Sequence, residues 1–191
     1  MATVATPMGA EPVNTLSASG SYTGKVRHIK IASGYGTGIF YGDFVKLVST
    51  GTVEKDTGTS SLTPVGVFVG CSYTDPSTSQ LTFNQQFPAS TAADDIMAYV
   101  VDDPNVVMQM QSSGVLSQTE LGNNIAVVQT GGSTSIGRSK NSLGDTGATT
   151  NTLPMRIIEF VEGPSSTVGD AFTDALVFFN VGHQYTNTTG V

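Results

Sequence analysis

The sequence predicts an all-β fold, a single sandwich or barrel of about eight to ten short strands with one short helix. Three observations carry that expectation. Apolar residues arrive in short runs that alternate or stand unbroken, the strand patterns, with scarcely any helical spacing. Turn formers punctuate the runs, with 22 Gly and 8 Pro in 191 residues. Charged residues make up only 12 %, about half the usual share, and Ser, Thr, Gly and Asn fill the gap. A helical protein would draw on Ala, Leu, Glu and Lys instead. Hydrophobic residues, at 38 %, still recur often enough to build a core.

Residues 1–20 are small and polar, with Pro7, Gly9 and Pro12. A segment of this composition does not order itself by burial. It reads as an extended N-terminal arm, either loose or ordered only against a neighbouring surface. The β-rich domain spans 21–185, and 186–191 form a disordered tail. Tyr22 to Ile31 alternates as a strand and carries the basic cluster Lys25, Arg27 and Lys30. Those side chains read as solvent-side residues that protect an edge, with a docking patch for an acidic partner as the alternative.

The centre of the chain is Ile39 to Gly70. Phe44 to Val48 is a strand entered through Gly42-Asp43. Pro64 to Gly70 is a short buried strand bracketed by Gly66 and Gly70, where glycine permits close approach or a positive φ. Leu81 to Pro88 is strand or extended chain, and Asp95 to Val101 is a strand. Asp102-Asp103-Pro104-Asn105 turns the chain, and Val106 to Gln111 returns. Ser117-Gln118-Thr119-Glu120 has capping-box spacing and predicts a helix of one or two turns. Ile125 to Val128 is a short strand. Thr130 to Asn151 is a long polar loop, mobile and exposed, holding Gly137-Arg138-Ser139-Lys140. Leu153 to Val161 is a strand with Arg156 and Glu159 on its wet side. Ala175 to Val181 is the last strand, central because its apolar run is unbroken. A jelly-roll or β-tulip-like arrangement accommodates this order.

Charge and motif content narrow the function. The net charge is −7 and the pI is near 4.5. Eight basic residues spread along the chain give phosphate backbones no electrostatic footprint, so direct nucleic-acid binding is not expected. No run approaches a membrane span. The start lacks the charged and apolar regions of a signal peptide, which places synthesis and assembly in a cytoplasm. The single cysteine, Cys71, reads as a small apolar residue without basic neighbours.

No catalytic, cofactor or metal site emerges. Asp94-Asp95 and Asp102-Asp103 flank one strand, at about 3.3 Å per residue, and so stand too far apart to act as an acid–base pair. The Asp102 turn lacks the ligand count of a calcium site. His28 and His183 lack a third zinc ligand. Gly34-x-Gly36-x-Gly38 lies between strands and opens no helix. An enzyme is therefore not expected.

Four stretches carry a resemblance. They are Pro7-Met8-Gly9-Ala10-Glu11-Pro12-Val13; Tyr41-Gly42-Asp43-Phe44-Val45-Lys46-Leu47 with Pro64 to Gly70; Tyr99 to Gln109; and Ile136-Gly137-Arg138-Ser139 leading into Leu153 to Ile158. In that order they are similar to a group of tailed-bacteriophage virion proteins, the capsid decoration or cement proteins. The resemblance implies a structural subunit on the outer surface of the virion head. It would bind the major capsid protein, commonly as a homotrimer where capsomers meet, and bridge shell subunits against internal DNA pressure. Pro7, Met8, Glu11 and Pro12 of the arm, and Lys25, Arg27 and Lys30 of the basic strand, are the contacts expected from their exposure. Rival readings are a carbohydrate- or receptor-binding sandwich and a tail component. The first is disfavoured by the absence of Trp as a stacking platform.

Overall fold

A computed structural model describes residues 4–16, 24–187 and 189–190. The end of the arm (17–20), the first residues of the expected Tyr22 strand and Thr188 and Val191 of the tail lie outside the described residues.

The strands, in chain order, begin with β1 (Glu11–Thr15), β2 (Arg27–Lys30), β3 (Phe44–Leu47), β4 (Val53–Lys55), β5 (Gly66–Thr74), β6 (Leu81–Asn84) and β7 (Met97–Val101). They continue with β8 (Val106–Gln111), β9 (Asn124–Ile125), β10 (Val127–Val128), β11 (Ser142–Leu143), β12 (Met155–Phe160) and β13 (Asp174–Phe179). One sheet has the order β1-β8-β13-β12-β9 and a second the order β2-β7-β5-β3-β4, with β6 also on β5. Every strand pairing in them is antiparallel. The protein is an all-β sandwich, and β13 sits at the centre of its sheet as its apolar run predicts.

The central strands of the second sheet, β3, β5 and β7, are buried on both faces, which their alternation explains. Phe44, Val67 and Val101 point toward the first sheet and join Met108, Ile157 and Val177 in the core between the layers. Their neighbours Val45, Phe68 and Val100 point the other way, into a second core with Ile39, Phe87 and Ile96. Ile31, just past β2, bridges Val53 at the start of β4. The sheet's two ends therefore meet, and it curls into a small barrel around that second core.

β5 is longer than the Pro64–Gly70 strand the sequence predicts. It runs nine residues, to Thr74. The register shifts between Phe68 and Gly70, and Gly70 takes a φ of 148°. A bulge bends the strand there and lets it continue where a glycine reads as a stop. Gly66 answers to close approach: a Cβ there would run into the Val101 carbonyl.

The expected helix is a single 3-10 turn at Gln118–Glu120. Its Glu120 accepts from the Ser117 backbone N–H at 2.6 Å and, through its other oxygen, from Gly147 N–H at 2.7 Å. The C-terminal segment closes on the barrel: the Gln184 amide accepts from Leu47 N–H at 2.6 Å and donates to Leu47 O at 3.0 Å.

Candidate functional site

The arm does not wait for a neighbour to order it. Glu11–Thr15 pair antiparallel with Val106 to Gln109 of β8, and Ala10 is fully buried in the core between the sheets. Gly9 explains how the chain reaches that position. Its φ is 78°, and a Cβ there would stand 2.6 Å from both Gly42 O and Ser139 Cβ. Gly42, with a φ of 88°, faces it, and Ala10 N–H donates to Gly42 O at 2.9 Å. Two glycines thus let two backbones cross in contact.

Beneath that crossing lies a buried polar cluster centred on Asp43, whose side chain is fully buried. Oδ1 accepts from Ser139 Oγ at 2.6 Å and from Asn141 Nδ2 at 3.1 Å. Oδ2 accepts from Phe40 N–H at 2.9 Å and pairs with Lys55 Nζ at 2.8 Å. Asn141 in turn accepts from Thr130 N–H at 2.9 Å and, through its carbonyl, from Gly9 N–H at 3.2 Å. A buried carboxylate is tolerable only when paired and bonded in this way.

The 137–141 segment, expected to be a mobile exposed loop, is therefore pinned. Gly137, Ser139 and Asn141 are buried, and Ser139 N–H donates to Tyr41 O at 2.9 Å. Arg138 lies over the Tyr41 ring, 4.9 Å from its centroid. It stands 3.6 Å from Glu11 and reaches Met8 Sδ at 3.8 Å. Polar composition here reflects partners for Asp43, not solvent.

The predicted contact residues fall into two groups. In the arm, Met8 is exposed, while Pro7, Glu11 and Pro12 are half-buried, and Glu11 is engaged by Arg138. On the basic strand, Lys25 and Lys30 are exposed. Arg27 is bound to the buried carboxylate of Asp102 and stands over the Tyr185 ring at 5.8 Å. Asp102 holds the Arg27 guanidinium above its ordinary pKa. The patch thus offers two exposed ammonium groups, Lys30 within the field of Asp95, beside an internally neutralised pair. The end of β1 reaches the turn beyond Asp102, where Thr15 Oγ1 donates to Asp103 Oδ2 at 3.4 Å.

Other reactive side chains are placed structurally. His28 packs on Tyr99, centroids 4.5 Å apart. His183 is buried between Phe179 and Tyr185, at 5.0 and 5.7 Å, and burial lowers its pKa against the opposing pull of Asp102 and Asp103. Burial pushes the Cys71 thiol up to about 12. Asp95 caps Thr74, whose hydroxyl donates at 2.6 Å. Among the described residues no three His, Cys, Asp or Glu side chains are grouped to hold a metal ion. The Asp43 cluster is the feature sequence reasoning missed; its signal was a lone Asp in an otherwise apolar strand entry.

No protein-family model, curated protein or solved structure matches this chain.

Proposed function

We propose that this chain is a structural virion protein, a capsid decoration or cement protein on the outer surface of a phage head. It would bind the major capsid protein and bridge neighbouring subunits, with a mechanical role and no catalysis. The observation that supports this reading is where the resembling stretches go. Three of the four, around Gly9, Asp43 and Ser139, meet in one clasp and are bonded to one another. Stretches that build a rigid support suit a protein whose task is to bear load. The exposed Met8 beside that clasp, and Lys25 and Lys30 on the far strand, are the contacts this reading assigns. Weak contacts repeated over a shell would suffice to hold it together. The trimer implied by the resemblance belongs to this proposal as an arrangement on the shell where capsomers meet, not as a state of the free chain.

The test is co-sedimentation of the purified protein with heads of its phage assembled without it. Saturable binding at a fixed ratio to the shell protein is expected, with heads that then resist heating better. Failure to bind heads, or binding to tails alone, would overturn the reading.

A further inference from the structure

Sheet edges expose unpaired N–H and C=O groups, and proteins guard them. The guards are visible at the other edges. β1 carries Pro12 and Glu11 and an irregular register after Pro12. β2 carries Arg27, His28 and Lys30, and β4 carries Glu54 and Lys55. The two also meet through Ile31 and Val53. β9 is two residues long, and its Asn124 exchanges backbone bonds with Ala148 at 2.8 Å each.

β6 has none of these guards. It reads Leu-Thr-Phe-Asn, and residues 76–93 around it contain no Asp, Glu, Lys, Arg or His. Leu81 and Phe83 are 61 % and 69 % exposed, and among the described residues Phe83 is the most exposed large apolar side chain. The backbone direction follows from β5. Asp75 N–H donates across to Gln80 O at 2.9 Å, while Thr74 N–H turns the other way, to Asp95 at 3.0 Å. Alternation then directs Tyr73 and Cys71 to their partners Thr82 and Asn84. The N–H and C=O groups of Leu81 and Phe83 face away from β5, at the open edge.

We propose that β6 pairs edge to edge, antiparallel, with β6 of a second copy. A two-fold axis at Thr82 sets Leu81 opposite Phe83 of the second copy, and Phe83 opposite its Leu81. Both are then hydrogen-bonded pairs, and the four apolar side chains gather on one face. Such a contact is isologous and closes at two copies. Charge selects the same occupant: two chains of net charge −7 repel each other least where each presents an uncharged stretch. The proposal stands apart from the capsid reading, since shell binding is measured separately.

The test is sedimentation equilibrium of the full chain from about 10 µM to about 1 mM, with amide hydrogen exchange at both ends of that range. The mass is expected to rise from 19.8 kDa toward twice that value, with Leu81 and Phe83 amides slowing as it rises. A Leu81→Lys/Phe83→Lys variant, at positions too exposed to carry the fold, is expected to stay monomeric. A wild-type chain that stays monomeric throughout would overturn the proposal. So would a mass that settles at three or more copies, or association that the double substitution leaves intact.

Discussion

Replacing Asp43 with alanine strips the carboxylate from a fully buried site. Four donors converge there: Ser139 Oγ, Asn141 Nδ2, Phe40 N–H and Lys55 Nζ, all within 3.1 Å. The Lys55 side chain is 9 % exposed and that of Asp43 fully buried, so the ammonium would be left without compensation. Breaking a buried pair from one side costs about 3–5 kcal/mol. The three remaining donors each add desolvation cost, softened where the cavity relaxes or hydrates. We expect a loss of about 4 kcal/mol, a large part of the roughly 5–15 kcal/mol that holds a domain together. At about 2–4 °C per kcal/mol for a chain of this length, Tm falls by about 8–16 °C. Urea and thermal unfolding followed by circular dichroism measure both. Asp43→Ala/Lys55→Met removes the stranded charge too and is expected to recover part of the loss, so that the double mutant is destabilised by less than the sum of the two single mutants. A loss below about 1 kcal/mol for Asp43→Ala would refute the view that this cluster holds the clasp.

Two further outcomes follow from the same geometry. Gly9→Ala forces a side chain into a left-handed conformation and against Gly42 O, and is expected to cost about 2 kcal/mol or more; limited proteolysis should then cut the arm sooner than in the wild type. His183 is held below its ordinary pKa of 6.5 by burial, so the unfolded chain binds the extra proton. Stability is then complete above pH 6.5 and falls as the pH drops from there toward the lower folded-state value. In a pH series of melting curves, His183→Gln should flatten this slope while leaving the acid limb of the carboxylates in place.

How much of this could be read from the sequence differs from element to element. β8 and β13 were legible because their patterns are local: apolar alternation in one and an unbroken run in the other. β1 was not, since Glu-Pro-Val-Asn-Thr has little strand character of its own and is ordered by pairing with a strand nearly a hundred residues away. β5 was cut short because Gly70 reads as an end when taken alone, and only the bulge shows that the strand passes through it. The 137–141 segment misled for the opposite reason. Gly, Ser and Asn signal solvent on average, but here they are the small polar partners that a buried carboxylate requires. The basic strand was placed correctly on the surface, yet nothing in Lys-Val-Arg-His-Ile-Lys foretold that Arg27 would be taken up by Asp102. Contacts across the chain decide these points, and no local window contains them.

The most direct test of the capsid reading is a three-dimensional reconstruction of heads of the encoding phage, prepared with and without this protein. Density on the outer shell that fits the two-sheet fold is expected, with Met8 or the Lys25–Lys30 strand against shell subunits. Heads identical in both preparations, with the protein found on the tail or outside the particle, would contradict it.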